Sequence, residues 1–98
     1  MAIVSYKDKG TKDIAQKKLT KAARQKLPME LHGNALMKIA AMDLAKSLAD
    51  LGTASGLKLE KLSRDREGAW SIRINRQYRI CFHWVDGAVE NVEIVDYH

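Results

Sequence analysis

Five arginines, Arg64, Arg66, Arg73, Arg76 and Arg79, fall close together, and the chain closes on Asp96-Tyr97-His98. Arginine's planar fork makes paired hydrogen bonds to phosphate oxygens, and tyrosine and histidine carry exchangeable protons. These residue types suit chemistry in which a phosphate is held and a proton is moved. The alternation around them decides which arginines can act together. Trp70-Ser71-Ile72-Arg73-Ile74-Asn75 and Tyr78-Arg79-Ile80-Cys81-Phe82-His83-Trp84 alternate large apolar with polar residues. Successive side chains of a strand point to opposite faces. One face therefore collects Trp70, Ile72, Ile74, Tyr78, Ile80, Phe82 and Trp84 as a core wall. The other collects Ser71, Arg73, Arg79, Cys81 and His83, and is polar and cationic. Arg73 and Arg79 share that side on neighbouring antiparallel strands, so phosphate contact weighs at least as heavily there as ion pairing. With Ile80 and Phe82 holding the core, Arg79 is expected to be dispensable for the fold. For Arg64 and Arg76 the simpler reading is surface pairing with Asp65, Glu67, Glu90 or Glu93.

Other chemistries find little support. His32, His83 and His98 have no paired spacing and no acids clustered as metal ligands, so no metal or other cofactor is expected. The glycines are isolated turn residues and form no phosphate loop. The lone Cys81 cannot form an internal disulfide, which suits a reducing cytosol. No apolar run is long enough to span a bilayer or to act as a secretory leader. A cytoplasmic protein without membrane contact is expected. The net charge of +5 favours a polyanionic or acidic partner, and 98 residues with 46% hydrophobic content suit one domain over 1–98.

The elements that must position the arginines are read in chain order. Ala2 to Tyr6 is β-prone and suits an edge strand. Asp8 to about Lys26 reads as one or two short helices, with Lys17, Lys18, Lys21, Arg24 and Lys26 as a solvated basic run that RNA or an acidic partner could also use. Pro28 ends that segment. Leu31, Ala35, Ile39, Met42 and Ala45, widened by Leu36, Leu48 and Leu51, predict one long helix, with Met37 and Met42 as core filler. Gly52 to Gly56 is a connection. Leu57 to Leu62 predicts a strand with a bulge near its end, followed by a charged loop over Ser63 to Gly68. Two long strands turn near Arg76-Gln77, and Asp86-Gly87 is a strong hairpin signal leading into an inner strand over Val89 to Val95. The result is an α+β domain, N-terminal helices packed on one face of a mostly antiparallel twisted sheet.

These residues carry a resemblance. Leu59-Glu60-Lys61-Leu62, Asp65-Arg66-Glu67-Gly68, the two alternating strands and Val92-Glu93-Ile94-Val95-Asp96-Tyr97-His98 are similar to HigB-like (host inhibition of growth) toxins. Those toxins belong to the RelE-type superfamily of type II toxin–antitoxin systems. The match lies in the C-terminal part of the chain; the N-terminal part matches only in its helical, basic character. The resemblance implies a RelE-like fold and a metal-independent endoribonuclease that cuts mRNA, typically on the translating ribosome. It also implies a cognate antitoxin, a HigA-like helix-turn-helix protein. Arg73 and Arg79 would contact phosphate, and Tyr97 or His98 would donate a proton or position RNA. Glu60 stands where some relatives carry histidine and would be base or organiser. Ser63 replaces a lysine, with Arg64 beside it in place of the usual glycine. Lys58, Lys61, Arg64, Arg66 and Arg76 are the remaining RNA-binding candidates. The alternative is a non-catalytic basic module that binds RNA, ribosome or an acidic protein partner.

Overall fold

The computed structural model describes residues 2–54, 56–62 and 68–96. Helices α1 (Lys9–Ala15), α2 (Lys21–Lys26), α3 (His32–Leu44) and α4 (Leu48–Thr53) precede strands β1 (Glu60–Lys61), β2 (Ala69–Arg73), β3 (Tyr78–Val85) and β4 (Ala88–Asp96). The strands form one sheet in the order β1-β2-β3-β4, each antiparallel to the next. Ile3 and Tyr6 bridge in parallel to Val89 and Val92, so the N-terminal segment runs beside β4 and makes β4 an inner strand. The expected helices-on-one-face α+β arrangement is what forms.

Short polar motifs set the helix ends. Asp8 caps α1 by accepting from the Thr11 amide at 2.7 Å, and Thr20 caps α2 by accepting from the Ala23 amide at 3.1 Å. Gly10 lets these helices meet closely: a Cβ there would lie 2.7 Å from the Ala22 carbonyl oxygen. The buried carboxylate of Asp13 welds the pair, accepting from Lys9 Nζ and from Thr20 Oγ1, each at 2.6 Å. The hydrogen bonds from Lys9 and then Thr20 hold its carboxyl below the ordinary carboxylate range. A carboxylate whose folded pKa is depressed stabilises the fold above its unfolded value, and that stabilisation is lost as pH falls through the folded one. Asp13→Asn should therefore melt below the parent at neutral pH. The gap should close as pH drops from about 5 towards 2. Thermal melts of both proteins across that range check it, and a gap independent of pH would refute the role.

The long helix expected from Leu31 to Leu51 is two helices. Ala45 is extended (ψ 134°), and Ser47 opens α4 with a reciprocal capping box to Asp50. Breaking the helix turns Leu44 outward, and Met37 is 72% exposed, so Met42 alone of the pair is core filler. The core joins Ile14, Ala23, Leu27, Ile39, Met42 and Leu51 from the helical layer to Ile72, Ile80, Phe82, Val89, Val92 and Ile94 from the sheet. Each large apolar side chain buried here contributes about 1.5–3 kcal/mol. Asp86 and Gly87 both adopt positive φ (51° and 82°), the backbone of a tight hairpin turn between Val85 and Ala88. The strand expected over Leu57 to Leu62 contracts to Glu60 and Lys61. Lys58 sits in the left-handed region (φ 52°), which interrupts pairing at the start of that stretch.

Candidate active site on the open sheet face

The face not covered by helices is ordered in rows across the strands. Glu60, Ser71, Cys81 and Glu93 are successive cross-strand partners from β1 to β4. The next row pairs Arg73 with Arg79 and Arg79 with Val95. The expected juxtaposition of Arg73 and Arg79 is therefore present, because side chains directly opposite on an antiparallel pair share a face.

The two arginines are held differently. Arg79 is only 7% exposed. Its Nε donates to Ser71 Oγ at 2.7 Å, and its Nη2 donates to the Lys58 carbonyl at 2.6 Å. Its Nη1 lies 3.7 Å from Glu60 Oε1. The left-handed backbone at Lys58 brings that carbonyl within reach of the guanidinium. Arg79 is thus not dispensable for the fold: it fastens the segment before β1 to β2 and stations Glu60 at the rim. Arg73 is half-buried, and its Nε donates to the Asn75 carbonyl at 3.1 Å. Its Nη groups have no protein partner among the described residues, so four N–H donors remain available to an anion. The turn that holds Asn75 is itself tied down, with Asn75 Oδ1 accepting from the Gln77 and Tyr78 amides. Asn34 of α3 donates to the Ile74 carbonyl beside it at 3.0 Å.

Glu60 has a half-exposed side chain and can exchange protons with a bound molecule. Lys58 and Lys61 are exposed next to it, and Arg76 is exposed at the β2–β3 turn. Arg64, Arg66, Tyr97 and His98 lie outside the described residues. Asp96, the last described residue, lies opposite Tyr78 and accepts from Gln77 Nε2 at 3.0 Å. Ser71 and the Lys58 carbonyl join the site without having been singled out from sequence. Alternation places Ser71 on the arginine face, whereas nothing in the sequence announces the Lys58 backbone. Among the described residues no three His, Cys, Asp or Glu side chains group as a metal site, and no helix is long and apolar enough to cross a membrane.

Residues 4–98 match the family of RelE-like toxins of the type II toxin–antitoxin system HigB. The chain belongs to this family. Among HigB-like relatives, Endoribonuclease HigB of Proteus vulgaris is 31% identical over 96 residues, covering 98% of this chain and 99% of the relative. Toxin HigB-1 of Vibrio cholerae is 35% identical over 65 residues, 66% of this chain and 68% of the relative. Solved structures share the fold. The YoeB–YefM complex from Staphylococcus aureus contains a chain matching at TM-score 0.62 and 16% identity, over 100% of this chain and 99% of the other. The YoeB/ParE toxin from Agrobacterium tumefaciens matches at TM-score 0.58 and 17% identity, over 97% and 99%. The HigB-like family membership thus extends through the helical half, where sequence alone suggested only general character.

Proposed function

We propose that this HigB-like toxin is an endoribonuclease that cuts mRNA at the face bearing Arg73, Arg79 and Glu60. The observation that carries the reading is the division between the arginines: Arg79 is built into the wall, while Arg73 is pinned by Nε with both Nη groups open among the described residues. Arg73 holds a non-bridging oxygen of the scissile phosphate and stabilises charge developing there. Glu60 removes the proton from the 2′-hydroxyl, whose oxygen attacks phosphorus. The bond from phosphorus to the 5′-oxygen breaks, and Tyr97 or His98 supplies the proton that the leaving oxygen takes up. The products are a 2′,3′-cyclic phosphate and a 5′-hydroxyl. Lys58, Lys61, Arg64, Arg66 and Arg76 guide the strand electrostatically. The residues that do this work need no metal. The protein acts in the cytoplasm on mRNA engaged by the ribosome, and a HigA-like helix-turn-helix antitoxin neutralises it.

Inducing the chain alone should arrest bacterial growth, with new 5′ ends in mRNA found by primer extension. Co-expression of an adjacent helix-turn-helix protein should restore growth. Normal growth with abundant folded protein and intact mRNA would sink the proposal.

A further inference from the structure

We propose that a hollow on the open sheet face, at an irregularity between β3 and β4, is a nucleobase pocket that selects guanine. The inference rests on the RNA-cleaving function above and places the base of a neighbouring nucleotide, not the scissile phosphate. The hollow has a volume of about 360 Å³. Among the described residues, Lys7, Ala69, Cys81, His83, Asn91 and Glu93 form most of its lining. Three features open it. Ala69 and Cys81 are small, so little bulk fills the floor. The register slips between Cys81, opposite Glu93, and His83, opposite Glu90, giving β4 one extra residue. Such a bulge bends its strand, and Asn91 takes up the bend at φ 54°. Gly68, which precedes β2 at φ 85°, puts no side chain beside His83; a Cβ there would lie 4.0 Å from His83 Cδ2.

The chemistry of the wall is specific. Lys7 Nζ lies 3.6 Å from Glu93 Oε1, with the Glu93 side chain 17% exposed and that of Lys7 59% exposed. The pair presents an ammonium donor beside a carboxylate acceptor. Guanine's pairing edge is the complement: O6 accepts, while N1–H and the 2-amino group donate. Adenine and cytosine would bring a ring-nitrogen acceptor against the carboxylate, and uracil offers a single donor between two acceptors. A carboxylate has about four lone-pair sites, so Glu93 can take both guanine donors and keep its protein contacts. His83 adds a second observation. Its Nδ1 is buried with no hydrogen-bond partner among the described residues, a state that costs stability until a partner arrives. The ring's second torsion is soft, so the imidazole can turn that edge to the N7 acceptor of a docked guanine. His83 lies four residues along β3 from Arg79, about 13 Å, which separates this pocket from the phosphate held by Arg73.

The test is NMR titration of ¹⁵N-labelled protein with guanosine 5′-monophosphate and, separately, adenosine 5′-monophosphate. The guanine nucleotide should shift the amides of Lys7, Cys81, His83, Asn91 and Glu93 at roughly tenfold lower concentration than the adenine nucleotide, the discrimination expected of a paired contact. Glu93→Gln and Lys7→Ala should each remove that preference. Should Glu93→Gln fail to fold, Lys7→Ala, at an exposed side chain, decides alone. Mapped RNA cuts should share guanine at one fixed offset and lose it in the Lys7→Ala protein. Equal binding of both nucleotides, or shifts confined to other residues, overturns the pocket even if RNA is cut. Selective binding by a protein that cuts no RNA overturns the cleavage reading and leaves the pocket standing.

Discussion

Arg73→Ala should slow RNA cleavage by about a hundredfold or more, the usual loss when one preorganised donor to a developing charge is removed, while the protein melts almost as before. The side chain is half-buried and, among the described residues, makes one hydrogen bond, from Nε to the Asn75 carbonyl. Asn75 keeps its turn through its own side chain, which accepts from Gln77 and Tyr78. Truncation therefore takes away open Nη donors and little packing. Arg73→Lys should recover only part of the rate, because an ammonium offers a point charge in place of a fork. Single-turnover cleavage of a defined RNA, with thermal melts of the same samples, measures both effects. Full activity in Arg73→Ala would remove this residue from the phosphate site.

Arg79→Ala should instead cost the fold about 2–4 kcal/mol. Its guanidinium is the partner of Ser71 Oγ in a buried place and of the Lys58 carbonyl in a part-buried one. Each buried polar group left without a partner costs about 1–3 kcal/mol. The 3.7 Å contact with half-exposed Glu60 adds little, since water screens it. For a domain of this size the loss corresponds to a fall in melting temperature on the order of 10–20 °C. Activity should fall with it, because Glu60 loses the group that stations it. Denaturant titration separates the two arginines: Arg79→Ala shifts the midpoint, Arg73→Ala leaves it in place. An unchanged midpoint in Arg79→Ala would mean that the segment before β1 is held by other contacts.

Alternation made the sheet legible. Two polar–apolar stretches are enough to assign Ile72, Ile80 and Phe82 to the core and Arg73 and Arg79 to the other face, since side-chain direction in a strand is local geometry. The Asp86-Gly87 turn is local as well. The split between α3 and α4 also has a local signal, the Ser47-x-x-Asp50 spacing of a capping box, but the apolar repeat running through it suggests continuity. Met37 shows the limit of that repeat. A stripe widened by extra apolar residues does not say which of them the neighbouring layer reaches. The burial of Arg79 lies beyond any pattern, because it depends on a backbone carbonyl at Lys58, 21 residues away, brought in by a left-handed residue. Whether a charged side chain faces water or a carbonyl is decided by the tertiary fold.

The segment beside β4 has a bearing on how the molecule comes into being. Val4 and Lys7 donate to the Val89 and Val92 carbonyls at 2.8 and 2.9 Å, and Asn91 donates to Ser5, 86 positions away. The β1–β4 meander is made of sequence neighbours, each strand pairing with the one just before it. Pairings of such different reach form under different entropic demands, and the distant ones are completed late. On the ribosome, the segment around Ile3 to Lys7 must therefore wait for β4 before it finds its place. Through that interval Ile3 and Tyr6 lack their partners Val89 and Val92, and Thr11 lacks the Ile94 amide that its hydroxyl accepts from in the finished fold. A nascent chain of this design cannot close its core until β4 has been made, however early the meander pairs.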